Sequence, residues 1–381
     1  MKIALVHSFY SSSQPSGENS AVMDQLAALE RHGFEVRLIS RRTDDFSGPG
    51  HILRAASTAA GFGGPDPSAE LEAFAPDIVH VHNLFPNWGS SWLKHWGERA
   101  VSTLHNFRPV CANATLWRDG SKCTECITHG SVRSIIHGCY RDSKIASIPL
   151  AVSTRSAGKY SALIHETAAS IVLNSEACTF YRSIFPDSDF TVLPNFGPAP
   201  TKSRLKNLPE PSFIYAGRLV AEKGVRDLLE NWPADVVLHI YGSGDLVEYV
   251  ENVASRKANV YFHGAQPRET VLNALISATA LVLPSQWPEG IPTIALEALG
   301  SGTPVMVSAT VSAAETIIAD GAGVILDFTS PASLLSAIRK VSESGLEMRD
   351  AAYGRYQQSF SSVAWLSAIV PLYERIASAS T

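Results

Sequence analysis

Three features of the 381-residue sequence predict two α/β domains of similar size, each built on a parallel sheet. The chain is longer than one ordinary hydrophobic core. In both halves, short apolar runs typical of buried strands alternate with segments of helical periodicity, which is the pattern of β-α-β units. Between the halves, 197–211 holds four prolines in fifteen residues and is predicted to be a linker.

Composition limits the class of protein. Apolar residues make up 45% and charged residues 18%, as in a soluble globular protein, and no run approaches the ~20 apolar residues of a membrane span. The apolar run at 1–6 is too short for a signal peptide, and the residues around it carry too little positive charge. We therefore expect a cytoplasmic protein. A net charge of −5 argues against a nucleic-acid binder.

Basic residues are concentrated in one segment, 94–159, which holds ten Lys or Arg against four Asp or Glu. Such an excess suits an anionic lipid or a pyrophosphate-bearing acceptor, and it would place the protein peripherally at the inner face of the cell membrane. The alternative is a solvated surface without a partner.

The first half opens as a β-α-β unit, with a strand at 2–7, a helix at 20–32 and a strand at 34–39. Ligands of parallel sheets lie beyond the carboxyl ends of the strands, so Ser16, Gly17 and Glu18 are predicted at the mouth of a site. Further apolar runs predict a short helix at 52–59, strands at 76–82, 100–106, 169–174 and 190–195, and helices at 147–166 and 176–185.

Three histidines lie on or just after two of these strands. His80 is predicted to be a core residue with satisfied hydrogen bonds. His82 and His105 stand at strand ends that should face one crevice, so they are candidates for contact with a ligand, His105 before His82.

Four cysteines in 29 residues, Cys111, Cys123, Cys126 and Cys139, have the spacing C-x11-C-x2-C-x12-C. In a cytoplasmic chain this spacing predicts a tetrahedral structural zinc site, and His129 or His137 could replace one Cys. An iron–sulfur cluster, a reversible disulfide and unrelated buried thiols are the alternatives. The surrounding segment, 108–144, has few apolar residues, so a metal would supply the stability that a small core cannot.

The second half repeats the strand–helix alternation. Strands are predicted at 212–216, 236–241, 259–264, 278–284, 304–308 and 321–327, with helices at 268–278, from Pro292 and at 314–318. Two helices end the chain, the last at about 363–378. The G-x-G run at 242–244 fits either a tight turn or a nucleotide contact.

Two loops of the second half carry charges suited to an anionic ligand. After the first strand, the run GRLVAEKGV places Arg218 and Lys223 beside Gly217, where fixed cations can neutralise a diphosphate. After the strand at 278–284, Glu289 and Gly290 precede a helix whose free N–H groups favour an anion.

The run from Leu283 to Val305, with E-G-x-P at 289–292 and E-A-x-x-x-G-x-P-V from Glu297, resembles the signature of the GT-B-fold retaining glycosyltransferases of family 4. GRLVAEKGV is similar to the element of that family that holds the donor pyrophosphate. The resemblance covers nearly the whole chain except 108–144. It implies GT-B architecture: two Rossmann-like domains facing across a cleft, at 1–196 and 197–360, with a final helix at about 361–381 on the first domain and a Cys-rich insertion in it.

The resemblance also implies site roles. Glu289 would contact the hydroxyls of the donor sugar, Glu297 the ribose, and His105 the sugar near the reacting centre. Catalysis would depend on Glu289, His105, Arg218 and Lys223, without a metal or other cofactor. The expected donor-binding residues are Gly17, Gly217, Arg218, Lys223, Gly264, Glu289, Gly290, Ile291, Pro292, Thr293 and Glu297.

The implied enzyme is a hexosyltransferase that moves a sugar from a nucleotide-sugar to a saccharide or lipid-linked saccharide, with retention, in surface polysaccharide biosynthesis. Front-face attack assisted by the leaving phosphate is expected. A nucleotide-sugar 2-epimerase of the same fold and a non-catalytic nucleotide-sugar-binding subunit are the alternatives.

Overall fold

The computed structural model describes residues 1–11, 16–45, 50–197 and 211–379, so most of the predicted linker at 197–211 lies outside the described residues. The chain divides into two compact units. The first comprises Met1–Pro194 with Leu366–Thr381, and the second comprises Asn195–Trp365. These bounds lie within a few residues of the expected 1–196 with 361–381 and 197–360.

The first unit is built on a six-stranded parallel sheet. Its strands are β1 (Lys2–Phe9), β2 (Glu35–Arg42), β3 (Ile78–Asn83), β4 (Ala100–Leu104), β7 (Ala169–Val172) and β8 (Phe190–Val192), and a small antiparallel hairpin of β5 (Trp117–Arg118) and β6 (Ser121–Lys122) stands apart. The strand order is β2-β1-β3-β4-β7-β8, and all strands are parallel. The chain adds β2 on one side of β1 and the later strands on the other side, so the order of the strands reverses between β1 and β3. Ligands of open α/β sheets bind at such a reversal, beyond the carboxyl ends of the strands.

Short helices surround this sheet. They are α1 (Gly17–Arg31), α2 (His51–Ala59), α3 (Ser68–Phe74), α4 (Leu93–Trp96), α5 (Glu125–His129), α6 (Val132–Ile136), α7 (Lys144–Ser153), α8 (Ala162–His165) and α9 (Ser175–Ile184). Apolar clusters of the described core include one around Trp92 and Leu71 and one around Tyr181 and Phe190. Sequence reasoning did not predict α3.

The predicted helix at 147–166 is wrong as a single element. It is broken into α7, a 3₁₀ turn at Arg155–Gly158 and α8, because Ser156 and Ala157 adopt left-handed backbone angles, with φ of 54° and 55°. At the end of this turn, a Cβ on Gly158 would lie 2.4 Å from the carbonyl oxygen of Pro109. Close packing of two backbone segments therefore overrides the local helical periodicity.

The second unit is also built on a six-stranded parallel sheet. Its strands are β9 (Ser212–Ala216), β10 (Val237–Tyr241), β11 (Val260–Phe262), β12 (Ala280–Leu283), β13 (Val305–Ser308) and β14 (Gly323–Leu326). The order β11-β10-β9-β12-β13-β14 reverses between β9 and β12. The loops that follow β9 and β12 therefore emerge side by side at the carboxyl edge of the sheet.

Further helices lie in the second half of the described chain. They are α10 (Val225–Asn231), α11 (Val247–Arg256), α12 (Arg268–Ser277), α13 (Thr293–Gly300), α14 (Ala314–Ile318), α15 (Pro331–Arg355) and α16 (Ser362–Ala379). Apolar clusters cover both faces of the second sheet. The residues of α16 from Leu366 onward belong to the first unit, where Ile369, Leu372 and Tyr373 are buried.

Candidate functional site

Glu289 lies in the loop between β12 and α13, and the structure surrounds its carboxylate with polar partners. The side chain is buried. Ser285 donates a hydrogen bond to Oε1, and the ammonium of Lys223 forms an ion pair with Oε2. Lys223 also lies 5.7 Å from the centre of the Trp287 ring. The structure therefore brings together the predicted residues Glu289 and Lys223.

Gly224 explains how Lys223 reaches this position. Its φ is +69°, and a Cβ at this residue would lie 1.9 Å from the carbonyl oxygen of Pro284 at the end of β12. Only glycine permits both this backbone angle and this approach. The loop after β9 thus lies against the loop after β12, and a hydrogen bond of 2.9 Å from the backbone N–H of Gln286 to the carbonyl of Glu222 joins the two.

Arg218 lies in the same loop as Lys223 but has a different environment. Its side chain is 59% exposed and makes a 3.4 Å contact with Glu222, four residues along the chain. The Tyr215 hydroxyl donates a 2.7 Å hydrogen bond to the carbonyl oxygen of Arg218, which fixes the start of the loop. An exposed Arg guanidinium with one weak partner can turn toward an incoming anion.

Glu297 is buried in α13, and its carboxylate forms an ion pair with Arg268. The Nε of Arg268, the first residue of α12, lies 2.6 Å from Oε1 of Glu297. The sequence predicts the start of α12 but does not indicate that Arg268 faces α13. Likewise, Ser285 and Trp287 stand in the motif, and only the folded loop shows that they contact the Lys223–Glu289 pair.

The helix after Glu289 begins one residue later than expected. Pro292 has extended backbone angles, with φ −63° and ψ 135°, so it is the N-cap residue and Thr293 is the first helical residue. Gly290 and Ile291 complete the loop, and Ile291 is buried. The free N–H groups at the start of α13 remain at the carboxyl edge of the sheet, as a site for an anion requires.

The remaining predicted donor-binding glycines have different settings. Gly217 follows β9 and lies close to Gly242, which follows β10. A Cβ added at Gly242 would lie 1.9 Å from the Gly217 carbonyl oxygen. Gly264 has φ of +67° with open space around it, and its carbonyl accepts a 2.9 Å hydrogen bond from the Gly242 N–H. This packing favours the tight-turn interpretation of the 242–244 run. Gly17 is the first residue of α1, in the first unit.

The first unit has a cavity of about 200 Å³ at the carboxyl edge of its sheet. Several polar residues line it, among them Glu18, His82, His105, Arg108 and Arg155. The guanidinium of Arg108 stacks over Phe85, with 4.6 Å from Cζ to the ring centre. This cavity contains both histidines that were predicted to face one crevice.

Burial keeps these histidines neutral. Desolvation lowers the pKa of His105 to about 3 and holds the pKa of His82 far below its usual value. The rings contact each other, with 3.0 Å between Nδ1 of His82 and Nε2 of His105. Nε2 of His82 is buried without a hydrogen-bond partner among the described residues. A neutral imidazole that lines a cavity can hydrogen-bond a hydroxyl group.

His80 is a satisfied core residue, as predicted. Its Nδ1 lies 2.6 Å from the Tyr373 hydroxyl and its Nε2 lies 2.7 Å from the Thr103 hydroxyl. Burial lowers its pKa to about 3, so the ring is neutral at ordinary pH.

Glu18 is a cavity residue with an unusual ionisation. Burial raises its pKa to about 8, although the Arg108 charge and a hydrogen bond with Asn83 act in the opposite direction. Its Oε1 is buried and has no hydrogen-bond partner among the described residues. At neutral pH the carboxyl group is therefore largely protonated and can donate a hydrogen bond into the cavity.

The four cysteines of 108–144 are all free thiols of intermediate exposure, whereas Cys178 is buried elsewhere. Burial, then the neighbouring thiols of Cys111 and Cys139, raise the pKa of Cys126 to about 11. Among the residues that the structure describes, no three His, Cys, Asp or Glu side chains are arranged to hold a metal ion. His137 contacts the Glu125 carboxylate at 3.0 Å and His129 contacts Thr128 at 2.8 Å, so both rings have other partners.

Most of the second unit is similar in sequence to known glycosyltransferases. The family described as Glycosyl transferases group 1 matches residues 200–358, which is less than half of the chain. An uncharacterized glycosyltransferase of Methanocaldococcus jannaschii is 31% identical over 141 residues. That alignment covers 35% of this chain and 36% of the relative, so the matched stretch spans about a third of the relative's length.

Solved structures share the fold over the whole chain. Sucrose-phosphate synthase from Thermosynechococcus elongatus superimposes with a TM-score of 0.68 at 17% identity, covering 99% of each chain. HepE from Anabaena, solved in complex with UDP, has a TM-score of 0.57 at 15% identity and is covered over its full length. The expected α/β fold with two parallel sheets is thus confirmed.

None of the helices in the described ranges is long and apolar enough to cross a bilayer.

Proposed function

We propose that this chain transfers a sugar from a nucleotide-sugar donor to an acceptor, with the donor bound by the second unit. The observation that carries the proposal is the pairing of Lys223 with Glu289 at the point where the strand order reverses. The family match at residues 200–358 includes both residues. Before the donor binds, each buried charge neutralises the other.

The donor diphosphate is assigned to Arg218, Lys223 and the start of α13. Cations and free N–H groups at the carboxyl edge of a parallel sheet stabilise a leaving diphosphate as its charge develops. Glu289 would then accept hydrogen bonds from the sugar hydroxyls. HepE was solved with UDP, which supports a uridine nucleotide as the first donor to test. No metal or other cofactor is required by these contacts.

We propose that Glu297 contacts the ribose of the donor, and its geometry imposes a condition on that contact. Arg268 already occupies one side of this carboxylate, so the ribose would have to share Glu297 with Arg268. The proposal is supported by the motif spacing between Glu289 and Glu297, which the sequence shares with family 4.

Nucleotide binding tests the phosphate assignment. Arg218→Ala should weaken the binding of a nucleoside diphosphate by at least about tenfold, because a charge-assisted contact to phosphate is lost. The affinity for the nucleoside should not change. Isothermal titration with UDP, GDP and ADP against the matching nucleosides measures both. Arg339→Ala, an exposed Arg on α15, is the matched control. Equal weakening of nucleoside and nucleoside diphosphate would contradict the assignment.

The acceptor is assigned to the cavity of the first unit. Neutral His82 and His105 and the protonated Glu18 can hydrogen-bond saccharide hydroxyls there, and Arg108 or Arg155 can attract a phosphate of a lipid-linked acceptor. We propose hexosyl transfer with retention, in surface polysaccharide biosynthesis. Reaction products distinguish the alternatives: a 2-epimerase would release free sugar without an acceptor, and a binding subunit would release none. The anomeric configuration, measured by NMR, tests retention.

We also propose that Cys111, Cys123, Cys126 and Cys139 bind one structural zinc ion. The proposal is supported by the electrostatic effect of the other three thiols on Cys126, which requires all four to lie near one another. Metal binding would have to draw them into a tetrahedron. One zinc per chain in the purified protein, lost in Cys126→Ser and kept in Cys178→Ser, is the expected result. Iron, or a disulfide in place of bound metal, would contradict the proposal.

A further inference from the structure

Half of the large apolar side chains that are exposed in the described part of the chain lie in one region of the first unit. They belong to α2, α6, α7 and the residue Phe62, and α7 packs against both α2 and α6. The exposed fractions are 70% for Ile52, 76% for Leu53, 69% for Phe62 and 81% for Ile145, and Val132, Ile136 and Ile148 are also exposed. We call this region the α2–α7 face.

An apolar surface of this kind needs an occupant. Monomeric soluble proteins rarely expose contiguous apolar patches larger than a few hundred Å², and such patches mark interaction sites with proteins or membranes. The side chains of the α2–α7 face are aliphatic or aromatic, and all except Phe62 come from three short helices, of which α7 packs against the other two.

The charges around the α2–α7 face indicate which occupant it has. Segments 51–62 and 130–159 contain six cations and a single acid, Asp142. The six cations are all exposed: Arg54, Arg133, Arg141, Lys144, Arg155 and Lys159. Segments that carry both exposed apolar side chains and an excess of exposed Lys and Arg have the composition of a surface that binds the headgroup region of an anionic bilayer.

The position of the cavity is consistent with this occupant. The last two residues of α2 and the three residues that follow it, 58–62, line the cavity, as do Leu150 and Ser153 of α7. Two of the three helices that carry exposed apolar side chains, α2 and α7, therefore also form a wall of the cavity. An acceptor that is anchored in a bilayer could reach the cavity without leaving the membrane surface.

We propose that the α2–α7 face docks the protein on a membrane surface of anionic lipid, with Leu53 and Ile145 inserted among the headgroups. Five of the six cations contact the lipid phosphates: Arg54, Arg133, Arg141, Lys144 and Lys159. Docking does not depend on the sugar transfer proposed above. Binding to lipid is measured without donor or acceptor, so failure of one proposal can be distinguished from failure of the other.

Sedimentation of the full chain with lipid vesicles tests the proposal. The protein should pellet with vesicles of phosphatidylcholine plus phosphatidylglycerol, pellet far less with phosphatidylcholine alone, and be released by salt. Leu53→Ser and Ile145→Ser should each weaken binding by about tenfold, since each removes an inserted apolar side chain. Lys144→Gln should weaken it by about fivefold.

Two matched variants test whether the loss of any exposed apolar side chain or any exposed cation would change vesicle binding. Leu335→Ser replaces an apolar side chain that is 48% exposed in the second unit, and Lys340→Gln removes an exposed cation there; neither should change vesicle binding. All these side chains are exposed, so thermal unfolding should stay within a few degrees of the unmodified protein, which shows that each variant folds.

Three outcomes would overturn the proposal. The first is that the protein binds neither type of vesicle. The second is that it binds vesicles with and without phosphatidylglycerol equally well. The third is a dimer, measured by light scattering, that Leu53→Ser and Ile145→Ser dissociate, because a second copy of the chain would then cover the α2–α7 face.

Discussion

At the scale of single residues, the buried Lys223–Glu289 pair is the central feature of the second unit. Ser285 and Trp287 hold the two charged groups in a loop that no periodic pattern specifies. A buried pair of this kind contributes little to stability compared with apolar residues, whereas loss of one partner is costly. Its presence at the edge of the sheet supports the proposed role in donor binding.

Replacing Glu289 by Gln keeps the shape of the side chain and removes its charge. Lys223 then loses its partner, so a nucleoside diphosphate should bind equally well or a few-fold more tightly. Turnover should fall by at least about a hundredfold, because the contact to the sugar in the transition state is weakened. Steady-state kinetics and titration calorimetry measure the two effects, with Glu315→Gln on the surface of α14 as control. Near-normal turnover would contradict the catalytic assignment.

Glu18 makes the first unit sensitive to pH. Its pKa is about 8 in the folded chain, against an ordinary pKa of 4.5 for a glutamic acid side chain, so the folded state binds the proton more tightly than the unfolded state. The contribution to stability is complete below about pH 4.5 and is lost progressively as pH rises from there through about 8.

Denaturant unfolding at several pH values measures this loss. The unmodified protein should lose more stability between pH 5 and pH 8.5 than Glu18→Gln, in which the ionisation is absent. Glu30→Gln, on the exposed side of the same helix, should behave like the unmodified protein. Parallel curves for the unmodified protein and Glu18→Gln would show that Glu18 does not titrate in this range.

At the scale of elements, the loops that follow β9 and β12 depend on one close backbone approach. Gly224→Ala would place a Cβ 1.9 Å from the Pro284 carbonyl oxygen, at a φ of +69°. Gly264→Ala is a matched control, because its φ of +67° is almost the same and nothing lies within 4 Å. The control should lose about 1 kcal/mol of unfolding free energy from the backbone angle alone.

Gly224→Ala should lose more, on the order of 3 kcal/mol, and should also lose nucleotide binding because Lys223 is displaced. Chemical denaturation and calorimetry measure the two quantities. Equal destabilisation by both substitutions would show that the backbone angle, and not the contact with Pro284, requires glycine at position 224.

Much of this element structure could be predicted from sequence. The strand Ser212–Ala216 and the helix Ala314–Ile318 agree with their predicted bounds because local apolar periodicity decides them. The break in 147–166 could not be predicted, because it depends on the distant carbonyl of Pro109. For the same reason the motifs predicted Glu297 but not its pairing with Arg268, which requires α12 and α13 to pack together.

At the scale of the whole molecule, the first unit joins the two ends of the sequence. The Tyr373 hydroxyl on α16 contacts Nδ1 of His80 on β3 across 293 residues of chain, and both side chains are buried. Nε2 of His80 contacts Thr103. The helix α16 therefore supplies a hydrogen-bond partner to a buried histidine of the sheet, and its buried residues form part of the core of the first unit.

Tyr373→Phe removes this one hydroxyl and keeps the apolar ring. Nδ1 of His80 would remain buried without its partner, which costs about 1–3 kcal/mol of unfolding free energy. Thermal and denaturant unfolding should show this loss, whereas Tyr160→Phe, at a side chain that is 60% exposed, should stay within about 0.5 kcal/mol of the unmodified protein. Titration of a nucleoside diphosphate should be unaffected, because Tyr373 belongs to the first unit and the proposed donor contacts belong to the second. If Tyr373→Phe unfolds like the control, the contact between His80 and Tyr373 does not couple the last helix to the first unit.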